Sequence, residues 1–285
     1  MYHNTNINIP DVRKDPETGI MYRVWKRGIP KTVFLLVHGL GAYGGRWVYL
    51  ADFFLRHNTA SYALELRGFG ETEGLRGHVA SFKVYYNDIC RLRDIIRQEN
   101  PEADIILLGS SMGGLISFVL AALKPLLFEG LICISPAFLS KIKFGLWDYL
   151  KIAGAAFFSP RRQFDVPVHA GMCTRDEECR EALDNEKREH HIATSAMLTD
   201  IAKAEIEARF YKNKLKTRVL FLIAEHDELV SPASSKKIFQ KLKVKDKTLV
   251  SYPGMYHGLA IDEGREKVFE DILKWIERAP GRGSS

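Results

Sequence analysis

Cysteine is scarce in this chain, with four residues in 285. Their positions give neither a Cys-x-x-Cys pair nor a Cys/His cluster with the spacing of a zinc site. Cys90 and Cys133 lie in apolar segments and are expected to be inert core residues. Cys173 and Cys179 are close enough along the chain to pair, although reduced thiols are the expected state. The cysteines therefore predict no metal site.

The chain also lacks an uninterrupted apolar segment of membrane-spanning length. Residues 105–123 come nearest, but glycines and serines interrupt their centre, which favours a buried strand, a turn and a buried helix. Residues 1–10 are polar and contain no apolar core of a signal peptide, so a cytoplasmic protein is expected.

No block of like charge stands out in the sequence. The formal net charge is +6, but lysine and arginine are spread along the chain and mixed with acidic residues. A solvated basic surface is therefore preferred over a nucleic-acid footprint, and no nucleic-acid partner is expected. No feature of the sequence assigns an oligomeric state.

Strand-like and helix-like segments alternate along most of the chain. Residues 32–37 form a continuous apolar run typical of a strand buried on both faces, and residues 20–25 alternate as an edge strand would. Ser81 precedes a helical stretch with one apolar face and is expected to cap it. This alternation predicts the α/β class, with a mainly parallel sheet flanked by helices.

The alternation stops at residue 136 and resumes near residue 218. We therefore expect a core formed by residues 1–135 and 213–278, with an inserted helical cap at 136–212. In an α/β sheet, sites lie at the carboxyl ends of the strands, and the cap is expected there. Residues 279–285 are expected to be a flexible tail.

A G-x-S-x-G motif, residues 109–113, follows an apolar strand and precedes a helix of small residues. Such a sharp turn lifts the hydroxyl of Ser111 above the sheet edge, and its glycines avoid collisions there. The N–H of Met112 then lies at a helix N-terminus, where it can stabilise an oxyanion. Ser111 is the predicted nucleophile.

A serine hydroxyl needs an adjacent base, and in folds with this turn the order is serine, acid, histidine. Of the nine histidines, His257 fits best because it lies in a loop between the penultimate strand and the last helix. The other histidines considered lie upstream, in a charged run expected to be solvated, or beside the acid: His3, His57, His190, His191 and His226.

The acid is expected after the strand at residues 221–224. Asp227 lies three residues beyond that strand and can bond the imidazole N–H and stabilise the imidazolium. The less favoured carboxylates are Glu225, Glu228, Asp200 and Asp262.

The second oxyanion donor is expected in the loop after the first buried strand, residues 37–41. The predicted donor is the N–H of Leu40, which pairs with that of Met112. Gly39 is expected to contact the substrate, whereas His38 is expected to bond within the loop.

Together these segments resemble the α/β-hydrolase fold, and within it the monoacylglycerol lipase and lysophospholipase-like group of the serine aminopeptidase S33 type. The family often has Asp, His and Ser where Glu65, Phe69 and Thr72 stand, and these departures remove no member of the candidate triad. The resemblance rests on residues 38–41, 66–70, 73–78, 109–114, 227–230 and 256–257.

The resemblance implies hydrolysis of carboxylic esters, with monoacylglycerols or similar single-chain lipids as substrates and no cofactor. Short-chain carboxylester hydrolysis and acyl transfer on the same triad are alternatives. A non-catalytic ligand-binding homologue is less favoured, because it needs no intact triad.

The resemblance also implies that the insertion covers the active site. Residues 138–158 are rich in apolar and aromatic side chains, and Phe138, Phe144 and Trp147 are candidate substrate contacts. Such residues either line an acyl tunnel, with a face for peripheral membrane contact, or pack the cap onto the core. The sequence leaves both interpretations open.

Overall fold

The structure, a computed structural model, describes residues 8–278. The predicted tail at 279–285 lies outside this range. The strands are β1 (Asp11–Lys14), β2 (Met21–Trp25), β3 (Thr32–Val37), β4 (Thr59–Glu65), β5 (Asp104–Ser110), β6 (Gly130–Ile134), β7 (Gln163–Asp165), β8 (Ile192–Thr194), β9 (Val219–Ala224) and β10 (Lys247–Tyr252). The helices are α1 (Val48–Leu55), α2 (Phe82–Glu99), α3 (Met112–Leu123), α4 (Leu146–Phe158), α5 (Ala170–Cys173), α6 (Glu177–Asp184), α7 (Ser195–Tyr211), α8 (Pro232–Gln240) and α9 (Arg265–Glu277).

Eight of these strands form one twisted sheet in the order β1-β2-β4-β3-β5-β6-β9-β10. All neighbours from β4 to β10 pair in parallel, whereas β2 runs antiparallel to β4 and β1 antiparallel to β2. The predicted fold class, a mainly parallel sheet flanked by helices, is confirmed.

Strand β3 shows how the sheet separates two layers of core. Val33, Leu35 and Val37 pack into one apolar cluster, while Phe34 and Leu36 pack into another, and all five are fully buried. Because successive side chains point to opposite faces, a continuous apolar run is what a strand covered on both faces requires. The interpretation of this run is therefore confirmed.

The edge of the sheet differs from the prediction. Residues 20–25 were expected to form an edge strand, but β1 pairs along the outer side of β2, which is therefore an interior strand. Most residues of β1 are exposed, and its sequence, D-V-R-K, has only one apolar side chain. A strand with so little apolar surface carries no periodic signal in the sequence.

Helix α2 begins as its sequence predicts. Ser81 stands at its N-cap, and its hydroxyl accepts a hydrogen bond of 3.3 Å from the N–H of Lys83. A second acceptor comes from α7, since a carboxylate oxygen of Asp200 accepts the N–H of Phe82 at 2.9 Å. Within residues 8–278, no helix is both long enough and apolar enough to span a membrane.

Residues 136–212, hereafter the cap, leave the sheet at the carboxyl end of β6 and return before β9. They contain α4 to α7, with α7 packed against both α3 and α4. The sequence predicted helical or irregular pieces here, but the cap also holds the short antiparallel pair β7 and β8. Strands of three residues are too short to show a period of two.

Candidate active site

Ser111 stands between β5 and α3 in a strained backbone conformation, with φ 56° and ψ −123°. Three backbone hydrogen bonds of 3.0 Å hold it, because its N–H donates to the carbonyl of Ile134 and its carbonyl accepts from the N–H groups of Leu115 and Ala137. The turn occurs where the motif predicts it, and Ser111 lines a cavity at the carboxyl edge of the sheet.

The glycines of the motif allow the backbones to approach closely. A Cβ on Gly109 would lie 2.3 Å from the carbonyl oxygen of Gly113, and a Cβ on Gly113 would lie 2.2 Å from that of Val37. Both contacts are with backbone atoms, which cannot turn aside as a flexible side chain can. A larger residue at either position would therefore push α3 away from the sheet.

The residues of both predicted oxyanion donors line the same cavity as Ser111. Met112 is the first residue of α3, where an N–H has no carbonyl one turn earlier to bond. Leu40 lies in the loop after β3. The preceding residue of that loop, Gly39, also lines the cavity and contacts the turn closely.

His38 holds the loop that carries Leu40. Its Nε2 accepts the N–H of Leu66 at 3.1 Å, so its proton resides on Nδ1, which donates to the carbonyl of Gly39 at 2.8 Å. Burial lowers the pKa of His38 to about 3, and the ring is neutral at ordinary pH. His38 therefore bonds within the loop, as expected.

Asp227 and His257 form a buried hydrogen-bonded pair. The Nδ1 of His257 lies 2.7 Å from Oδ2 of Asp227, and the two residues are 5% and 3% exposed. Asp227 lies in the loop after β9, and His257 in the loop after β10, so adjacent parallel strands bring them together.

The second oxygen of Asp227 is already occupied. Its Oδ1 accepts the N–H groups of Leu229 and Val230 at 2.8 and 2.9 Å, which fixes the carboxylate and directs Oδ2 to the histidine. A carboxylate accepts hydrogen bonds, so the proton of neutral His257 resides on Nδ1. The lone pair on Nε2 is then free for a proton, and His257 lines the cavity together with Ser111.

The competing carboxylates have other partners or none nearby. Glu225 pairs with Lys236 at 2.5 Å, a bond that lowers the pKa of Glu225, and Glu228 is exposed. Asp200 caps α2, as described above, and Asp262 accepts hydrogen bonds from residues other than histidine. Asp227 is the one among these five that contacts His257.

One histidine differs from the prediction. His190 and His191 are expected to be solvated, and His191 is indeed exposed, but His190 is partly buried; both line the cavity. His190 stacks on Phe69 at 5.1 Å, and its Nε2 lies 3.0 Å from the carbonyl of Gly68. Burial lowers the pKa of both histidines. Because the neighbours of His190 in the sequence are charged, the sequence did not indicate that its ring is partly buried.

Much of the apolar part of the cavity is built from five separate stretches of the chain. Its side chains come from the cap and from the loop that carries Asp227. They are Ile142, Val166, Val168, Leu183, Ile201, Leu229 and Val230. Because no two stretches share a periodic pattern, sequence reasoning missed these residues.

Three predicted substrate contacts lie elsewhere. Phe138 is fully buried in the core, with its ring 4.9 Å from that of Phe118 and 5.6 Å from that of Phe221. Phe144 packs beside Tyr149 at 5.7 Å, outside the cavity lining. Trp147 is 73% exposed. Of the four predicted contacts, Gly39 lines the cavity.

A polar group lies on another side of the same cavity. Arg46 donates from Nε to Glu189 at 2.9 Å and makes a second, shorter contact from Nη2, which gives a two-pronged ion pair. The side chain of Glu189 is only 4% exposed. His191 and Asp184 line this side as well. The cavity therefore combines apolar and polar walls.

The four cysteines are free, which agrees with the expected reduced state. Burial raises the pKa of Cys133, Cys173 and Cys179, so these thiols are protonated at ordinary pH. Cys90 differs from the expected core position, because it is partly exposed beside Lys124. Among residues 8–278, no group of histidine, cysteine and carboxylate side chains is arranged to hold a metal ion.

Comparison of the sequence with known proteins shows the family of this chain. The family model "Serine aminopeptidase, S33" matches residues 28–264. The chain is 27% identical over 264 residues to a monoglyceride lipase of Rattus norvegicus, an alignment that covers 89% of this chain and 85% of the relative. It is also 27% identical over 267 residues to a monoacylglycerol lipase of Mycolicibacterium smegmatis, covering 90% of this chain and 92% of the relative.

The fold has a solved counterpart in a soluble variant of monoglyceride lipase from Saccharomyces cerevisiae, bound to a substrate analogue. The two structures superpose with a TM-score of 0.83 over 96% of this chain and 97% of that one, at 19% identity, which shows the shared fold. The expected resemblance and the expected class, a carboxylic ester hydrolase, are confirmed. The chain belongs to the serine aminopeptidase S33 family of α/β-hydrolases.

Proposed function

We propose that the protein cleaves carboxylic esters of single-chain lipids, monoacylglycerols in particular, through an acyl-enzyme on Ser111. The observation that carries the proposal is the buried pair of Asp227 and His257, whose histidine lines one cavity with the strained Ser111. The substrate class follows from the relatives, since the rat and mycobacterial proteins act on monoacylglycerols by name.

The first half of the reaction forms the acyl-enzyme. The Nε2 of His257 takes the hydroxyl proton of Ser111 while the serine oxygen attacks the ester carbonyl. Asp227 keeps the imidazole in the tautomer that leaves Nε2 free, and its negative charge stabilises the imidazolium. His257 then gives the proton to the departing alcohol, and the carbon–oxygen bond breaks.

The negative charge of the tetrahedral intermediate falls between two backbone donors. The N–H groups of Leu40 and Met112 are the proposed oxyanion hole, and they are fixed before the substrate arrives. In the second half, His257 takes a proton from water while the water oxygen attacks the acyl-enzyme. His257 then gives this proton to the oxygen of Ser111, the acyl carbon–oxygen bond breaks, and the fatty acid is released. No metal or organic cofactor takes part in these steps.

The walls of the cavity suit the two parts of a monoacylglycerol. The apolar wall, which includes Val166, Val168 and Ile201, would accommodate the acyl chain. The polar wall, with Arg46 and Glu189, would bind the hydroxyl groups of glycerol. A single cavity with both walls favours a lipid ester over a fully polar substrate.

The cap surface supports a peripheral contact with membranes. Several large apolar side chains of α4 point to solvent, although a surface helix of this kind normally has its apolar face covered. They are Leu146, Trp147, Leu150, Phe157 and Phe158, each more than half exposed. A cytoplasmic location stays part of the proposal, because free thiols are typical of a reducing compartment.

The test measures hydrolysis of a panel of esters, from short nitrophenyl esters to long-chain monoacylglycerols. The wild type is compared with Ser111→Ala and Ser117→Ala. We expect Ser111→Ala to lose turnover by at least about 10³-fold while it keeps its fold. Ser117→Ala is the matched control. The hydroxyl that it removes is buried in α3 and has no hydrogen-bond partner. Normal activity of Ser111→Ala would refute the assignment.

The same panel separates the alternatives. Activity that depends on Ser111 and peaks on medium or long monoacyl substrates supports the proposal. Activity confined to short esters indicates a general carboxylesterase, and products acylated on an added alcohol indicate acyl transfer. A chain that hydrolyses nothing and fails to react with a fluorophosphonate probe would be a ligand-binding homologue.

A further inference from the structure

The backbone on both sides of His257 is held by hydrogen bonds, one to a residue of the same loop and one to the cap. The N–H of Tyr256 donates to Oδ2 of Asp262 at 2.7 Å, and the N–H of Gly258 donates to the carbonyl of Cys173 at 2.7 Å. Asp227 fixes the rotation of the imidazole ring, but the position of the ring depends on these flanking peptides. Two separate supports therefore set where Nε2 lies.

Asp262 is a fully buried carboxylate surrounded by donors. Its Oδ1 accepts the N–H of Arg175 at 2.7 Å and lies 3.2 Å from the hydroxyl of Thr174. The Nε of Arg175 lies 3.2 Å from Oδ2, the oxygen that accepts from Tyr256. A buried charge is stable only when such donors and cations surround it, and all of these contacts donate toward Asp262.

The donors to Asp262 come from two parts of the chain. Thr174 and Arg175 belong to the cap, whereas Tyr256 belongs to the loop of the proposed base. Gly258 permits the close approach, since a Cβ there would lie 2.9 Å from the carbonyl oxygen of Cys173. The guanidinium of Arg175 also lies over the ring of Tyr256 at 6.0 Å. One carboxylate thus joins the cap to the histidine loop.

We propose that Asp262 is a positioning residue for His257, and that Thr174 and Arg175 of the cap complete this support. The inference rests on the proposed function, in which His257 is the base. A base displaced by about 1 Å can cost about 10²-fold in rate, because the proton transfer needs a fixed geometry. Asp262 itself touches neither the substrate nor the reacting atoms.

The test compares Asp262→Asn with Glu266→Gln, an exposed carboxylate on the following helix. Asparagine keeps the shape of the side chain, but its amide group must point an N–H toward one of the groups that donate to Asp262. We expect kcat on a soluble ester to fall about 10- to 100-fold, with KM changed less than about twofold. A kcat equal to that of Glu266→Gln, even with a lower melting temperature, would overturn the proposal.

A second pair of variants decides the question if Asp262→Asn does not fold. Arg175→Met removes one donor at a side chain that is one-third exposed, and Arg175→Lys restores a positive charge there. We expect kcat to fall at least threefold in the methionine variant and to recover in the lysine variant. Equal kcat in both variants and the wild type would refute a positioning role.

Two reference variants keep this inference apart from the proposed function. If Ser111→Ala and His257→Ala retain activity, the proposed function fails, and the positioning role fails with it. If both lose activity while the variants at Asp262 and Arg175 do not, the proposed function stands and only the positioning role is lost.

Discussion

Gly39 faces Ser111 so closely that a Cβ on the glycine would lie 3.0 Å from Ser111 Cβ and 3.5 Å from its hydroxyl oxygen. The 3.0 Å contact is tighter than most that a real Cβ makes. The loop that carries Leu40 therefore packs directly against Ser111, and a side chain at position 39 would not fit without a shift of its neighbours.

We expect Gly39→Ala to lower kcat/KM about 10²-fold, because a methyl group there moves the Leu40 donor away from the oxyanion. Ester hydrolysis and the melting temperature are the measurements. Gly154→Ala is the matched control, since a methyl group there meets no atom within 4 Å. The control should keep full activity and gain about 0.5–1 kcal/mol in the free energy of unfolding, as alanine favours the interior of α4. Equal activity of the two variants would contradict the proposed geometry.

Asp227→Asn tests the acid separately from the fold. The asparagine oxygen can still accept the N–H groups of Leu229 and Val230, so the loop should stay folded. Its amide N–H would then point at Nδ1 of His257. The imidazole would have to carry its proton on Nε2 instead, which is the wrong tautomer for a base. We expect kcat to fall about 10³- to 10⁴-fold.

Glu228→Gln, an exposed neighbour in the same loop, should leave kcat unchanged within about twofold. Initial rates on a soluble ester, together with circular dichroism of both variants, make the comparison. If the two variants behaved alike, another carboxylate would have to serve as the acid.

Local signals predicted the parts of the site that lie within one short stretch of chain. The turn at Ser111 needs only a strand, two glycines and a helix in sequence, and the cap of α2 needs only Ser81. Asp227 and His257 could be found for a similar reason, since each follows a recognisable strand. Parallel strands end at one edge, so their loops meet without further information.

The cavity walls could not be predicted in this way. Phe138 lies in an apolar run that suits a tunnel or a core equally well, and only its packing on Phe118 and Phe221 decides between them. His190 follows charged residues, yet its ring stacks on the buried ring of Phe69. Such contacts join positions far apart in sequence, and no local period reports them.

His38 should make the free energy of unfolding depend on pH. Its folded-state pKa of about 3 lies below the unfolded value of 6.5. Between these values the unfolded chain binds a proton that the folded chain does not, so stability falls as the pH falls. Above pH 6.5 the full stability is present. One such proton gives a slope of about 1.4 kcal/mol per pH unit, or about 2 kcal/mol between pH 6.5 and 5.

Urea unfolding at pH 7 and pH 5 measures this effect in the wild type and in His38→Gln. The variant lacks the titrating ring, so its stability should depend less on pH than that of the wild type. His190 and His191, whose pKa values burial also lowers, contribute with the same sign to both proteins. An identical pH dependence in the two proteins would show that folding does not lower the pKa of His38.

The exposed rings of the cap predict binding to lipid vesicles. Phe157 and Phe158 are 89% and 90% exposed at the end of α4 and contact each other at 6.4 Å. Transfer of one phenyl side chain out of water contributes about 1.5–3 kcal/mol. Replacing both with serine should therefore weaken partitioning into phosphatidylcholine vesicles by at least about tenfold.

Vesicle sedimentation measures the partitioning, and hydrolysis of a soluble nitrophenyl ester reports whether the site is intact. The soluble activity and the melting temperature should not change, because neither ring is buried in the folded chain. Ile29→Ser is the matched control, since Ile29 is 88% exposed but precedes β3, at the end of the sheet opposite the cap. That control should bind vesicles like the wild type. If the double variant also bound like the wild type, α4 would not be the membrane contact, and its exposed rings would need another partner.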